Sequence, residues 1–346
     1  MTDPNWKKLR TDEGLRRRME LRTRITDAVR MFFSSRNFLE VETPIVMAHP
    51  GMEPYLDPFR TSVIRNDGRR FDAALITSPE YSMKKLLAGG LEKIFTITKV
   101  FRNGEPFGGR HNPEFTMIEL YRANADYRSL MADTEQMASE VAQKTLGTTK
   151  IRFGGQEIDL APPWRRMTVA EAMKRHAGID LDRAIDDYEW FKAEAIRAGH
   201  TITADDAFDD IFFKIFLRDV EPKFGPQPLI LHDYPRSMAA LARMKPGDAR
   251  YAERVEAYVG GMELCNGFSE LNDSAEQRRR LEEESVLRRK LGRHDHGIDE
   301  QFVEAVGMMP ESAGIALGID RLVMLLADAS DIVDVLFFPA RDLFSK

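Results

Sequence analysis

Apolar residues recur at helical spacing over residues 12–36. Leu15, Met19, Ile25, Val29, Phe32 and Phe33 share one side, and arginines fill the others. After Arg36-Asn37, residues 38–46 alternate like a strand, and Pro44 assigns it to an edge or strand end. A loop containing Pro and Gly spans His49 to Pro58. Short strand patterns follow at 59–64, 71–76 and 93–101. Between the last two, Ser78-Pro79-Glu80 reads as a helix start with Ser78 as N-cap, and that helix stops at Gly89-Gly90. Residues 98–122 read as two strands joined by a charged loop, Asn103 to Pro113. A helix is expected at 126–146, a break at Ala161–Trp164, and mostly helical structure at 168–220. Strands are expected at 227–233 and 251–264, a charged helix at 274–291, and a strand at 313–318 running into a helix at 320–327. Strands and helices do not alternate regularly, which disfavours a doubly wound parallel sheet. The pattern favours an α/β (α+β) fold with a mainly antiparallel sheet flanked by helices.

The 346 residues are 43% hydrophobic and 31% charged, enough apolar content for a sizeable core. They are read as a single domain, 1–346, with a mostly helical insertion near 165–225. A net charge of −6 gives no reason to expect a broad nucleic-acid footprint. Cys265 is the single cysteine, and Met1–Glu13 is polar with no apolar signal core. Asp320 and Arg321 interrupt the most apolar stretch near the end, so no bilayer-spanning segment is expected. A soluble, cytoplasmic protein is the expectation.

Three segments carry chemistry. In residues 101–122, strand alternation puts Phe115, Met117, Glu119 and Tyr121 on one face and Thr116, Ile118 and Leu120 on the other. The second face is plain core. The first offers a ring to stack a purine, and a carboxylate and phenol to bind an ammonium, while Arg102 faces back across the hairpin toward a phosphate. In residues 263–273, Glu263 and Glu270 flank an Asn-Gly turn, a pairing that suits Mg²⁺ or an amine. In residues 314–326, Gly318 permits close approach to the backbone. Arg321 occupies a first helical turn, where the dipole also favours phosphate. His294-Asp295-His296 has no third ligand of clear spacing, and the arginine runs at 16–18 and 278–280 read as solvated helix faces.

Together these segments resemble the class II aminoacyl-tRNA synthetases. Residues 39–46, with Pro44, are similar to motif 1, residues 100–122 to motif 2 and residues 314–326 to motif 3. The finer resemblance is to the lysyl-tRNA synthetase catalytic domain, through Arg110–Met117, Asn266–Asp273 and Gly318–Met324. Those synthetases carry an anticodon-binding β-barrel before motif 1. Here motif 1 begins at residue 39 behind one helix, a layout that resembles the elongation factor P–(R)-β-lysine ligases. Ala316, where lysyl-tRNA synthetases have the middle of three alternating glycines, agrees with that subfamily.

The resemblance implies a six- or seven-stranded sheet, a homodimer through motif 1, and ATP with Mg²⁺. It implies two steps, activation of (R)-β-lysine or lysine and transfer to a lysine of elongation factor P, with tRNA not expected as partner. By position, Arg102 would act at the α-phosphate and Arg321 at the γ-phosphate end. Asn112 and Phe115 would hold adenine. Asn103, Gly104, Glu105, Glu263, Leu264 and Gly318 would line the nucleotide site, with Glu263 and Glu270 as metal candidates. Ser78, Pro79, Glu80, Glu119, Tyr121, Glu270 and Ala316 would form the amino-acid site. One departure stands out. The family has an acid two positions after the motif 2 arginine, whereas this chain has Gly104 there and Glu105 next, in a loop one residue longer. Two rival readings are a lysine–tRNA ligase and a non-catalytic paralogue. Retention of Arg102 and Arg321 argues against the second.

Overall fold

The computed structural model describes residues 3–344. Eight strands form the main sheet: β1 (Leu39–Glu40), β2 (Lys93–Phe101), β3 (Glu114–Ala123), β4 (Arg165–Thr168), β5 (Leu229–Pro235), β6 (Tyr251–Val259), β7 (Met262–Ser269) and β8 (Ser312–Gly318), in the order β1-β2-β3-β8-β7-β6-β5-β4. The six central strands are antiparallel. The two short edge strands, β1 and β4, pair in parallel. The sheet is thus one or two strands wider than expected, because Arg165–Thr168 adds an edge where helix was anticipated.

One face of the sheet packs on helices α1 (Glu13–Ser34) and α3 (Tyr127–Leu146). Asp12 caps α1 by accepting from the Leu15 amide at 2.8 Å, and Leu15, Met19, Ile25, Val29, Phe32 and Phe33 are buried. Asp126 caps α3, which ends at Gly147 with φ 79°, a left-handed turn that glycine adopts without strain. Ile118 and Leu120 of β3 join this core with Ile315 and Leu317 of β8. Helices α2 (Glu80–Ala88), α4 (Ser274–Lys290) and α5 (Glu300–Met308) pack together beside the opposite face. Helix α6 (Ile319–Leu326) follows β8 directly.

Several local expectations differ from the structure. The run at 38–46 is split by Pro44 into β1 and a two-residue strand, Val46–Met47, which joins Arg60–Ile64 and Arg70–Leu75 in a separate three-stranded sheet. Pro79, not Ser78, sits at the cap of α2, and Ser78 Oγ accepts from the Glu80 amide at 3.1 Å. The strand pattern at 251–264 contains the β6–β7 turn at Gly260-Gly261, so Asn266-Gly267 lies inside β7. Residues 150–159 form a hairpin and 300–308 a helix, neither anticipated. Helices between 169 and 220 bury Met173, Phe191 and Phe212 in their own cluster against Leu231 and Tyr258 of the sheet.

Arg22 ties the two halves of this framework together. Its guanidinium pairs with Asp320 of α6 and donates to Thr116 Oγ1 at 2.9 Å, while Asp320 accepts from the Thr116 amide at 2.7 Å. Asp320 and Arg22 side chains are 2% and 11% exposed. Truncating Asp320→Ala leaves the guanidinium buried without its partner and should cost about 3–5 kcal/mol. Chemical denaturation of the variant checks this; a loss below about 1 kcal/mol would show that water replaces the pair.

Candidate active site

Sheet register explains why chemistry-bearing side chains meet. Reading across the strands, Thr96, Glu119, Ala316, Asn266 and Glu256 form one row, and Ile94, Tyr121, Gly314, Phe268 and Arg254 form the next. A residue added at Leu264 in β7 breaks the strict alternation, since Cys265 pairs with Ala257 but Glu263 with Tyr258. Leu264 and Cys265 both enter the core. The bulge turns Glu263 toward the same side as Asn266, despite the odd spacing.

The first half of the site is cationic. Arg102 lies at the end of β2 with its guanidinium 5.2 Å from the centre of the Phe115 ring. Its pKa is lowered, first by burial, while Glu53, Glu263 and Glu105 act in the opposite direction and Arg321 adds to the lowering. The Arg102 and Arg321 charges therefore sense one another. Arg102 Nε is buried without a hydrogen-bond partner, an arrangement that is costly unless an anion supplies the missing acceptor. Arg321 Nη1 donates to the Glu263 carbonyl at 2.8 Å and lies 3.5 Å from its carboxylate. The Glu263 side chain keeps 41% of its accessibility, yet burial of its surroundings and then Glu256 push its pKa up.

The second half is a buried acidic cluster, called the slot below, between β3, β8 and α2. Tyr121 donates to Glu119 Oε1 at 2.5 Å, and Ser78 donates to Glu119 Oε2 at 2.7 Å. Lys84, fully buried, lies 2.6 Å from both Glu80 and Glu270. Gly314 makes this convergence possible, because a Cβ there would collide with the Tyr121 ring and the Glu270 carboxylate. Ala316 pairs with Glu119 and Asn266 in the neighbouring row.

Not every expected side chain turns to the site. Asn112 is 5% exposed; its amide donates to the Glu114 carbonyl and its oxygen accepts from the Ala340 amide at 2.9 Å. These two bonds brace the fold and use one of the amide's two N–H groups. Asn103 folds back on Gly104, and Glu105 bonds His111 at 2.7 Å within the motif 2 loop. Leu264 is core. The pairing of Glu263 with Glu270 is corrected outright. With six residues between them, they stand on the order of 20 Å apart at the two ends of β7, one with Arg321 and the other with Lys84. Among the described residues, no three His, Cys, Asp or Glu side chains converge as a metal site, His294 and His296 included.

Sequence reasoning missed Lys84, Glu53, Glu256 and Glu284. Lys84 sits four residues after Glu80 on one helix, a spacing that signals a pair. Glu256 accepts from Tyr234 and Tyr258 and pairs with Arg254. Glu53 and Glu284 border Glu80 and have Arg288 as a shared counter-charge. Nothing in the local pattern marks these three.

Comparison with known proteins places these features in a family. A family model described as tRNA synthetases class II (D, K and N) matches residues 3–342. The lysine–tRNA ligase of Pelotomaculum thermopropionicum is 42% identical over 323 residues, covering 92% of this chain and 62% of its own length. That of Moorella thermoacetica is 40% identical over 319 residues, covering 92% and 64%. The lysine–tRNA ligase of Halalkalibacterium halodurans is 38% identical over 322 residues, covering 92% and 62%. The chain thus spans less than two thirds of the length of these relatives.

The slot's carboxylates set a pH dependence. Glu119 is pushed up to about 7, first by burial and next by Glu80, against the hydrogen bonds from Tyr121 and Ser78. Burial and then Glu53 push Glu284 up to about 8. Folding therefore takes up protons above the ordinary glutamate value, and stability falls as pH rises through about 5 to 8. The melting temperature of the ligand-free protein should drop between about pH 6 and pH 8.5, and Glu119→Gln should shallow the drop. A rising or flat profile in the unsubstituted protein would contradict this assignment.

Proposed function

We propose, because the chain belongs to the class II tRNA synthetases (D, K and N), that it activates a lysine-like amino acid with ATP and transfers it to a lysine side chain of elongation factor P. The observation that carries the activation step is the buried, unpartnered Nε of Arg102 in reach of the Arg321 field and next to an acidic slot. In that reading the amino-acid carboxylate attacks the α-phosphorus of ATP. Arg102 stabilises charge on the α-phosphate oxygens as the bond to the β-phosphate breaks, and pyrophosphate leaves past Arg321. The Phe115 ring, with Arg102 over it, offers a stacking plate for the base. The product is an aminoacyl adenylate, a mixed anhydride. An acceptor amine then attacks its carbonyl carbon, the C–O bond to phosphate breaks, AMP departs and the amine loses a proton. No covalent enzyme intermediate is required, so the protein contributes positioning and charge.

Glu263 fits a divalent cation: it is an accessible hard-oxygen donor, close enough to Glu256 for the two charges to oppose each other. Mg²⁺ held there, with phosphate oxygens completing its shell, would screen the triphosphate. Glu270 is left out of that set because Lys84 occupies it.

Ala316 supports (R)-β-lysine over lysine as the preferred substrate. Its methyl group lies in the row between Glu119 and Asn266, where it reshapes the floor under the amino acid. A second reading, lysylation of tRNA, is favoured by the printed activity of the relatives. A homodimer is part of the proposal, supported by exposed apolar side chains around motif 1: Leu39, Ile45, Val46 and Phe71.

Pyrophosphate exchange with each lysine isomer, followed by transfer to elongation factor P or tRNA, separates these readings. The proposal expects exchange with (R)-β-lysine above lysine, label on elongation factor P, and at least about a hundredfold loss of kcat for Arg102→Ala. Label on tRNA alone would favour the second reading, and no exchange with either isomer would remove both. In sedimentation, Val46→Asp should convert a dimer to a monomer; a monomeric unsubstituted protein would refute the dimer.

A further inference from the structure

The loop at 103–113 joins the strand ends that carry Arg102 and Phe115. Its Glu105 carboxylate is held below the ordinary range, first by the hydrogen bond from His111, with the Arg102 and Arg321 charges acting in the same direction. The loop therefore borders both guanidinium groups. It is pliable by composition: Gly108 and Gly109 take φ values of 145° and 63°, open to glycine at little steric expense. Such a loop keeps one shape only where contacts from outside outweigh its conformational entropy.

Residues 331–344 supply those contacts. The Ile332 amide donates to the Gly109 carbonyl at 2.8 Å, and the Ala340 amide donates to Asn112 Oδ1 at 2.9 Å. The Phe344 ring lies 6.0 Å from that of Phe107, and a Cβ added to Gly108 would meet the Asp331 carboxylate at 3.5 Å. The segment is itself fixed to the body. Asp331 caps the turn Ile332–Val335 by accepting from the Val333 amide at 3.0 Å, and Ile332, Val333 and Val335 enter the main core. Asn5 donates to the Val333 and Leu336 carbonyls at 2.7 and 2.9 Å. Elsewhere the loop is tied by Arg110 Nη1 to the Gly261 carbonyl and by the Asn103 amide to the Asp57 carbonyl, both at 2.7 Å.

We infer that residues 331–344 are a positioning element for the nucleotide: the Ile332 and Ala340 amides set how tightly ATP is held without touching it. The inference rests on the proposed nucleotide site beside Arg102. The Ala340 amide anchors the loop where it leads back into β3, and it fixes which end of the Asn112 carboxamide is oxygen. The carboxamide nitrogen is thereby aimed at the Glu114 carbonyl, one residue before the Phe115 ring. Without that amide, Asn112 Oδ1 is left buried without a donor, and the loop gains shapes that ATP must suppress when it binds. Glu119 and Tyr121 lie farther along β3 and are held by their own bonds to each other and to Ser78, so the loss falls on the nucleotide side of the site.

Removing one N–H makes the test specific. Ala340 opens the short helix Ala340–Phe344, a position that proline tolerates, so Ala340→Pro deletes the donor and lets the helix form. Ala340→Ser keeps the donor in place. Calorimetric titration with ATP and Mg²⁺ gives Kd for each protein, and amide hydrogen exchange follows the loop at 104–111 and the strand at 115–121. Ala340→Pro is expected to raise the ATP Kd at least about threefold and to speed exchange at 104–111 but not at 115–121. Ala340→Ser is expected to match the unsubstituted protein in both measurements. A rise below threefold for Ala340→Pro overturns the inference. So does an equal rise for Ala340→Ser, or faster exchange shared equally by 115–121. If Ala340→Pro does not fold, Phe344→Ala decides, since that ring is exposed: an ATP Kd raised twofold or more and restored by Phe344→Tyr supports the inference, and any other result contradicts it. Failure of the unsubstituted protein to bind ATP would instead reject the nucleotide site itself.

Discussion

A charge removed from water needs a counter-charge or a proton, and that requirement organises the polar face of the central sheet. Glu119, Glu270 and Lys84 are almost wholly inaccessible, and Glu80 nearly so. Each finds its compensation locally: Ser78 and Tyr121 for Glu119, Lys84 for Glu80 and Glu270. Arg102 Nε has no acceptor in the protein, and the same holds for Nη2 of the buried Arg288. Of these two guanidinium groups, Arg102 is the one whose charge is felt alongside Glu263 and Arg321, where an anion would supply the missing acceptor.

Backbone register does the positioning. Glu119 and Tyr121 of the slot lie on adjacent rows of one antiparallel sheet, while Arg102 follows the end of β2 and Arg321 stands on α6. Gly314 removes the Cβ that would block Tyr121 and Glu270, and the Leu264 bulge swings Glu263 to the site side. Arg22 and Asp320 hold β3 and α6 together from the opposite side. The same helix, α6, presents Arg321.

Much of this was legible in sequence where period alone decides. Residues 115–121 alternate strictly, so the division between a core face and a chemical face could be read directly. Arg102 and Arg321 were marked by motif resemblance. Glu263 and Glu270 were misread because Asn-Gly is a strong turn signal. Here Gly267 sits in mid-strand because a Cβ would strike the Gly314 carbonyl and Ile315. Tertiary packing overrode the local signal. Lys84 carried the helix-pair spacing to Glu80, but its approach to Glu270 spans most of the chain and has no local trace. Asn112 looked like a ligand and became a brace for Ala340.

The account stands or falls on the convergence of two guanidinium groups on a triphosphate beside an acidic slot. A crystal structure with a non-hydrolysable lysyl-adenylate analogue tests it most directly. The account predicts the phosphate-mimicking group hydrogen-bonded to Arg102, the base against Phe115 and the side-chain ammonium at Glu119. A ligand bound elsewhere, or bound with Arg102 Nε still without an acceptor, would contradict it.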